Sequence, residues 1–183
     1  MKWSDMDEVK IGLEVHVQLV NLRTKLFCSC SSDYRGKPPN VNVCPVCTGL
    51  PGSMPSLNKK AVEEALKIAI LLNAQPYPVS YFFRKSYFYP DLPKNFQITQ
   101  YDKAGGYPLA HDGSLKLTSG KVVRIERIHL EEDPGRIVYE GSRATARYSL
   151  IDYNRSGIAL VEIVTAPDMS SAEEARDFVE RLT

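Results

Sequence analysis

The chain has 183 residues, of which 43% are hydrophobic and 25% are charged, and this composition predicts one folded domain with an ordinary apolar core. The formal net charge of +1 excludes attraction to nucleic acid through bulk charge, so any contact with RNA must come from a local patch or from a part of the protein outside this chain. No apolar run reaches the length of about 18 residues that a membrane span requires, and residues 1–8 are acidic without the apolar centre of a signal peptide, so we expect a cytoplasmic protein.

The first predicted element is a half-buried strand at residues 9–20, where apolar and polar side chains alternate without interruption. Its polar face carries Glu14, His16 and Gln18. Side chains two positions apart on one face are about 6.8 Å apart at Cα, which lets a carboxylate and an imidazole reach the same ion or ligand. The pattern alone does not distinguish such a site from a solvated strand face.

All four cysteines follow in one window of the sequence, as two closely spaced pairs in a segment rich in proline and glycine. Two short loops that each present two thiolates are typical of a tetrahedral Zn²⁺ site with Zn–S bonds of about 2.3 Å. Two disulfides or four unremarkable thiols are the alternatives, and disulfides need an oxidising compartment. The sequence therefore predicts a structural zinc, with no open position for catalysis, on Cys28, Cys30, Cys44 and Cys47.

The middle of the chain predicts one helix and one aromatic, basic segment. Apolar residues at helical spacing indicate a helix over residues 58–73. Residues 79–101 follow, and within them the sequence RKSYFYPD at 84–91 interleaves cations with aromatic rings. Such a segment suits phosphate neutralisation and base stacking, although a strand with buried aromatics and solvated cations fits equally.

The second half of the chain predicts strands joined by tight turns. Gly105-Gly106 and Asp112-Gly113 indicate turns, the latter as a hairpin between two short strands. Because hairpins outnumber helices and no βαβ rhythm occurs, we expect an α+β fold with a mostly antiparallel sheet and flanking helices. The predicted strands are residues 107–110, 114–118, 121–132, 148–154 and 158–165, the last two joined by a turn at 155–157.

The sequence HLEED at residues 129–133 places three acids beside a histidine at the end of a predicted strand. Adjacent carboxylates repel one another unless a cation lies among them, and Mg²⁺ prefers such oxygen-rich sites. A charged loop is the alternative. Periodicity does not determine which of Glu131 and Glu132 points toward a site.

Glu162 interrupts an apolar run at residues 158–164 that is typical of a strand buried on both faces. An unpaired carboxylate there costs several kcal/mol, so Glu162 needs a partner such as Arg155, a metal ion or a proton. Further on, Ser170 and Glu173 have the spacing of a capping box, with Ser170 as the N-cap of a helix that continues to the end of the chain. We expect the chain to be a fragment cut within or just after that helix.

Taken together, these motifs resemble the B subunit of the glutamyl/aspartyl-tRNA amidotransferases. The similarity covers nearly all of residues 9–182 and is carried in family order by IGLEVHVQL at 11–19, KLFC at 25–28, NVCPVCTGLPG at 42–52, RKSYFYPDLPK at 84–94, QITQYD at 97–102, HLEED at 129–133 and DYNRSG at 152–157.

The resemblance implies a reaction and a fold. Members of that family convert misacylated Glu-tRNA(Gln) or Asp-tRNA(Asn) to the amidated form, using ATP, Mg²⁺ and ammonia released from glutamine. The amidase A subunit hydrolyses glutamine, a small C subunit clasps the pair, and the B subunit activates the carboxylate on the tRNA. Its catalytic domain is similar in fold to glutamine synthetase.

The resemblance also implies site residues. It assigns catalytic Mg²⁺ to Glu14, His16 and an acid of the 129–133 motif (Glu131 or Glu132), and it places Lys85 and Tyr87 along the site. We expect Glu162, the acid in the apolar run, to support this Mg²⁺ and ATP site from the sheet. Charge and motif position add Lys94 and Arg155 as candidates for phosphate contacts.

The family continues with a helical domain and a tail that grips tRNA, which are absent from this chain. We therefore expect residues 1–183 to be the N-terminal part of the catalytic (cradle) domain, with a zinc knuckle at about 28–47, and expect this fragment to be inactive alone. The alternative function is a zinc-stapled RNA-binding or scaffolding module without catalysis. Mg²⁺-dependent ATP binding separates the two.

Overall fold

The structure is a computed structural model that describes residues 9–100 and 107–183. The predicted Gly105-Gly106 turn lies outside the described residues. Within those ranges the elements are β1 (Glu14–Gln18), α1 (Lys59–Leu71), β2 (Gln75–Pro76), β3 (Phe83–Ser86), β4 (Phe96–Thr99), β5 (Ala110–Lys116), β6 (Val122–Glu132), β7 (Arg136–Tyr139), β8 (Ser149–Asp152), β9 (Ala159–Thr165) and α2 (Ala172–Leu182).

Five strands form one antiparallel sheet in the order β1-β9-β6-β5-β2, while β3 pairs with β4 and β7 pairs with β8 in two small antiparallel sheets. This arrangement confirms the predicted α+β class with a mostly antiparallel sheet. The expected similarity to glutamine synthetase stays a prediction. Strand β9, which lies between β1 and β6, is buried along most of its length, which agrees with its apolar sequence.

Helix α1 packs on the large sheet through small side chains. Ala61, Ala65 and Ala69 repeat at i, i+4 spacing and are fully buried, so the helix backbone lies close to the strands. Asn58 caps the helix, because its side-chain oxygen accepts hydrogen bonds from the backbone N–H groups of Lys60 at 2.9 Å and Ala61 at 3.3 Å. The helix predicted from periodicity is thus present with nearly the predicted bounds.

The predicted turn at Asp112-Gly113 is wrong. Strand β5 runs through this dipeptide, and Asp112 takes a positive φ of 51° within it. A Cβ atom on Gly113 would lie 2.9 Å from the carbonyl oxygen of Leu72 and 3.0 Å from Cβ of Ala74. A glycine that is typical of a hairpin turn here permits a close approach between the sheet and the end of α1.

Strands β8 and β9 exist as predicted but do not form a hairpin with each other. β8 pairs with β7, whereas β9 lies between β1 and β6. The turn between them includes Gly157, which has a φ of 87° and donates its backbone N–H to the carbonyl oxygen of Asp133 at 2.8 Å. This turn is therefore fixed to the residue that follows the end of β6.

The N-cap of α2 is Ser171 rather than the predicted Ser170. The Ser171 hydroxyl accepts a hydrogen bond from the backbone N–H of Glu174 at 3.2 Å, and the Glu174 carboxylate accepts one from the backbone N–H of Ser170 at 2.8 Å. The capping arrangement exists one residue later than predicted, because two adjacent serines and two adjacent glutamates allow either register. Phe178 anchors the helix in the core.

Candidate active site and metal centre

An acidic cavity of about 500 Å³ lies against the polar face of β1, β9 and β6. Four carboxylates face it together with one histidine and one lysine. Its lining residues are Glu14, His16, Gln18, Lys85, Gln97, Glu131, Asp133, Pro134, Leu160 and Glu162.

Strand register explains why distant residues meet in this cavity. His16 in β1 is paired with Glu162 in β9, and Glu162 is paired on its other side with His129 in β6. Directly paired residues on antiparallel strands project to the same face, so the three side chains form one row across the sheet. Glu131 lies two positions beyond His129 and therefore projects to that same face.

Three carboxylates surround the imidazole of His16. Its Nε2 atom lies 3.1 Å from Glu131 Oε1, 3.5 Å from Glu162 Oε2 and 3.8 Å from Glu14 Oε1. The structure therefore brings together Glu14, His16, Glu131 and Glu162, four of the residues selected from the sequence.

These contacts shift the ionisation of the site. Hydrogen bonds to Glu131 and Glu162 raise the pKa of His16 to about 10, against the opposing effect of burial. Burial of Glu162 opposes its ionisation, but hydrogen bonds from His129 and His16 outweigh that effect and lower the pKa of this carboxyl well below its usual range. Without a metal, the positive charge that holds the acids together is the His16 imidazolium.

The same group has the geometry of a cation site. Ligand atoms of Glu14, His16 and Glu162 all lie within 4.8 Å of one another. Carboxylate oxygens and one imidazole nitrogen form a mixed ligand set that a hard divalent cation accepts through the oxygens. Glu131 adds another carboxylate oxygen beside the imidazole.

Strand β4 orients the end of β6. The hydroxyl of Thr99 donates to Glu131 Oε2 at 2.9 Å, and both side chains are buried. The Gln97 amide donates to the backbone carbonyl of Glu132 at 2.8 Å and also lines the cavity. Neither Gln97 nor Thr99 was among the predicted site residues, although both belong to the motif QITQYD, because the motif alone does not show where their side chains point.

Glu132 does not face the cavity, in contrast to the expectation for a Mg²⁺ ligand. Its carboxylate accepts a hydrogen bond from Lys94 and another, at 2.8 Å, from the backbone N–H of Ile98. Burial raises the pKa of Glu132, and the neighbouring Lys94 charge opposes that shift. Lys94 pairs with this acid and lines a separate pocket, so its predicted phosphate contact has no support at the acidic cavity.

Lys85 and Tyr87 have different positions relative to the cavity. Lys85 lines the wall from β3, as expected. Tyr87 is not among the lining residues; it is half-buried, and burial together with the charges of Asp91 and Glu131 raises its pKa to about 12.

Arg155 supports the cavity wall instead of contacting Glu162. Its Nε atom lies 3.4 Å from Asp133 Oδ2, and its guanidinium donates to the carbonyl oxygens of Pro134 and Gly135 at 3.1 and 2.8 Å. Burial raises the pKa of Asp133 to about 6, an effect that Arg155 opposes. The partners of Glu162 are the two histidines, so the Arg155 pairing and a direct Arg155 phosphate contact find no geometric support.

His129 is another residue of this site that was not among the predicted site residues. It is 2% exposed, and its Nδ1 atom lies 3.4 Å from Glu162 Oε1. Its Nε2 atom is buried without a hydrogen-bond partner among the described residues. The alternation of side chains along β6 could have predicted this position, because it puts His129 and Glu131 on the same face of the strand.

The four cysteines form a second cluster beside the sheet. The sulfur atoms of Cys28, Cys30, Cys44 and Cys47 lie within 4.8 Å of one another, and no disulfide joins them. A tetrahedral zinc with bonds of about 2.3 Å requires sulfur atoms roughly 3.8 Å apart, so this cluster could hold such a metal.

The polar neighbours of the cysteine cluster favour the thiolate form at Cys47, whereas the pKa values of Cys28 and Cys30 are raised. The thiol of Cys28 hydrogen-bonds to the sulfur of Cys47 and lowers the pKa of Cys47, and the backbone N–H of Cys44 donates to the same sulfur at 3.1 Å. Burial raises the pKa of Cys30 to about 11. The Lys25 ammonium lies 3.6 Å from the Cys47 sulfur.

Known proteins match this chain along nearly its whole length. A family model for the GatB/GatE catalytic domain matches residues 9–183. The chain is 57% identical over 175 residues to the B subunit of an aspartyl/glutamyl-tRNA(Asn/Gln) amidotransferase from Sulfurisphaera tokodaii, and the match covers 95% of this chain and 37% of that protein.

Two further relatives carry the same name. The chain is 51% identical over 185 residues to the protein of Methanococcoides burtonii, covering 100% of this chain and 38% of the relative. It is 56% identical over 178 residues to that of Methanospirillum hungatei, covering 96% and 36%. The chain thus spans a little over a third of the length of the curated relatives it matches. Neither helix in the described residues is long and apolar enough to cross a membrane.

Proposed function

This chain belongs to the GatB/GatE catalytic-domain family, and from that premise we propose that it is part of the catalytic domain of a tRNA-dependent amidotransferase. The intact protein activates the side-chain carboxylate of Glu-tRNA(Gln), Asp-tRNA(Asn) or both with ATP and amidates it with ammonia. Its relatives are named as B subunits of such enzymes.

One observation carries the proposal: three carboxylates converge on His16 in a cavity that also exposes a lysine. Like charges at such distances repel unless a cation lies among them. The His16 imidazolium supplies such a charge, and a divalent cation held by these carboxylates would supply it in the working enzyme. Glu14, Glu131 and Glu162 are the proposed Mg²⁺ ligands, with His16 beside them.

The reaction explains why such a site is needed. A carboxylate attacks the γ-phosphorus of ATP poorly because both are anions, and bound Mg²⁺ neutralises the phosphate charge. Lys85 contributes a second positive charge from the cavity wall that β3 forms. The carboxylate oxygen takes the γ-phosphoryl group and ADP leaves; ammonia then attacks the acyl carbon and phosphate leaves, which yields the amide.

The second proposed metal is a structural zinc on the four cysteines. The sulfur separations fit a tetrahedral ion, and the metal contributes folding free energy to a segment that otherwise has little core. This zinc fixes the segment and takes no part in the chemistry.

The proposed partners are misacylated tRNA, an amidase A subunit that releases ammonia from glutamine, and a small C subunit. The support is that the relatives are named as subunits and that their names include the tRNA substrate. The near-neutral charge of this chain agrees with tRNA being gripped mainly by other parts of the complex.

The test uses the full-length protein with its partner subunits and charged tRNA. Mg²⁺-dependent ATP binding and formation of amidated aminoacyl-tRNA are measured for wild type, Glu131→Gln and Lys85→Ala. We expect each substitution to lower the amidation rate by about 10² or more, the scale of losing one charge stabiliser on a transferring group, while glutamine hydrolysis by the amidase persists.

Glu126→Gln is the matched control, because Glu126 lies on the same strand but is half exposed and outside the cavity. Its amidation rate should equal that of wild type. Wild-type rates in both cavity variants would refute the site. Absence of Mg²⁺-dependent ATP binding in the wild type would favour the non-catalytic RNA-binding or scaffolding function.

A further inference from the structure

Lys25 is a lysine with no exposure to solvent, and it lies beside the cysteine cluster. Its ammonium group donates to the carbonyl oxygen of Asn42 at 2.8 Å and lies 3.4 Å from that of Tyr153. Its third partner is the sulfur of Cys47, at 3.6 Å. Among the described residues, no carboxylate forms an ion pair with this lysine within 4.0 Å.

A buried ammonium without an opposite charge is costly. Removing such an ion from water costs several kcal/mol unless a negative group and hydrogen bonds compensate it. Two carbonyl oxygens supply partial negative charge, but the formal charges nearest to Lys25 are those of the thiolates. A metal bound at the cysteines would ionise all four thiols, and the Cys47 sulfur at 3.6 Å from the ammonium would then be the negative partner of Lys25.

We propose that Lys25 is the buried counter-ion of the metal–thiolate centre. A divalent cation with four thiolates has a net charge of −2, and the ammonium reduces the charge of the buried group to −1. The N–H···S contact with Cys47 also withdraws electron density from one metal ligand and holds its orientation, as polar groups behind metal ligands commonly do. This inference rests on the proposed metal site at Cys28, Cys30, Cys44 and Cys47.

The same lysine joins the centre to the sheet that carries the active-site cavity. Beside Lys25, the turn before β9 contacts the cluster through the Ser156 hydroxyl, which donates to the carbonyl oxygen of Cys47 at 3.1 Å. A Cβ atom on Gly157 would lie 3.5 Å from both Cys47 Cβ and Lys25 Cδ. Since Gly157 N–H is bound to Asp133 next to β6, Lys25 and Cys47 lie at a junction between the metal centre and two site-bearing strands.

The experiment measures metal affinity rather than enzyme activity. Zn²⁺ affinity is determined by competition with a chelator for wild type and Lys25→Met, with Co²⁺ absorption as the check on tetrahedral thiolate coordination. We expect Lys25→Met to bind Zn²⁺ about 10–100-fold more weakly, the usual effect of removing a group that supports a metal ligand. Asn154→Ala is the control, because Asn154 clamps residues 38–42 of the same loop by hydrogen bonds without a charge.

A double-substitution cycle separates charge from packing. Cys30→His changes the centre to three thiolates and one neutral imidazole, which leaves a net charge of −1 before Lys25 is counted. If Lys25 acts as a counter-ion, Lys25→Met weakens Zn²⁺ binding several-fold less in the Cys30→His background than in wild type. If Lys25 only fills space, the loss is the same in both backgrounds.

Equal losses in the two backgrounds, a wild-type affinity in Lys25→Met, or an equal loss in Asn154→Ala would each overturn the proposal. Should Lys25→Met fail to fold, Lys25→Gln takes its place in the same cycle, since the amide keeps a donor without the charge. A wild-type protein that binds no Zn²⁺ or Co²⁺ would instead refute the metal site on which the inference rests.

Discussion

At the scale of single residues, His16 holds the site together in the absence of metal. Its imidazolium faces Glu14, Glu131 and Glu162, and the last two raise its pKa to about 10. A divalent cation that enters the same position displaces this proton, so metal binding at neutral pH should release protons. The protonation of His16 is therefore coupled to the binding of a divalent cation at the site.

The first prediction concerns the titration of His16. In the metal-free protein its imidazole should titrate near pH 10, as followed by NMR, and Glu162→Gln should bring the pKa down toward the ordinary value of 6.5. Because the folded-state pKa is raised, the stabilising contribution of this charge is complete below about pH 6.5 and is lost as the pH rises through about 10. An imidazole that titrates near 6.5 in the wild type would contradict these contacts.

The second prediction concerns the buried pair Lys94–Glu132. Lys94→Met leaves a buried carboxylate without its cation and should lower the free energy of unfolding by about 3–5 kcal/mol. The double variant Lys94→Met/Glu132→Leu removes both charges and should recover most of that loss, as measured by denaturant unfolding. If the single variant unfolds like wild type, the pair is not a buried ion pair in solution.

Residue types and spacing predicted much of the candidate site, but they did not predict which side chains point into the cavity. The alternation of β1 put Glu14 and His16 on one polar face, and Glu162 was marked by its apolar surroundings. The choice between Glu131 and Glu132 depended on the register of β6 against β9, which places His129 opposite Glu162 and so puts Glu131 on the face of the cavity. Local periodicity does not contain that register. Lys94 pairs with Glu132 and Arg155 with Asp133, and the sequence could not predict these partners because charge alone does not specify them.

At the scale of elements, pairing departs from what local patterns indicate. The pattern of apolar residues predicted β6, β8, β9 and α1 with bounds close to those observed, because burial of one face imposes a period on the sequence. It did not predict the strand partners: β8 pairs with β7, an element that was not predicted, and β9 lies between β1 and β6 in the large sheet. The turn predicted at Asp112-Gly113 is wrong, because Gly113 instead allows β5 to pack closely against the end of α1.

The third prediction tests that packing. Gly113→Ala places a Cβ atom 2.9 Å from the carbonyl oxygen of Leu72, and the forced shift of α1 should lower the free energy of unfolding by about 1–3 kcal/mol. Gly12→Ala is the matched control, since its Cβ would meet nothing closer than 3.5 Å and should change stability by less than about 0.5 kcal/mol. Equal stability of the two variants would mean that Gly113 is not a close-contact position.

At the scale of the whole molecule, the cysteine cluster and the acidic cavity are linked through the turn before β9. Ser156 and Lys25 connect this turn to the cluster, and Gly157 connects it to Asp133, which lines the cavity. A metal at the cysteines would therefore stabilise one border of the candidate active site without contacting it.

The fourth prediction is the effect of metal removal. Chelation, or Cys44→Ser, should lower the melting temperature, because the metal contributes folding free energy to the loop. Hydrogen exchange should increase at residues 24–50 and 153–158, while α1 and β5 remain protected. Ser53→Ala, a substitution in the same loop away from the sulfur atoms, should leave both measurements unchanged. An equal increase in hydrogen exchange across the whole sheet after chelation would contradict this prediction, because metal removal would then destabilise the entire fold and not only the loop and the turn.

The most direct test of the central claim is Mn²⁺ binding to the cavity, followed by electron paramagnetic resonance in zinc-loaded protein so that the cysteine cluster does not compete. Wild type and the control Glu126→Gln should bind Mn²⁺ with the same affinity, whereas Glu131→Gln and Glu162→Gln should each bind it about tenfold more weakly or worse. Equal affinity in all four proteins would contradict the account, because the divalent cation would then not be held by the carboxylates around His16.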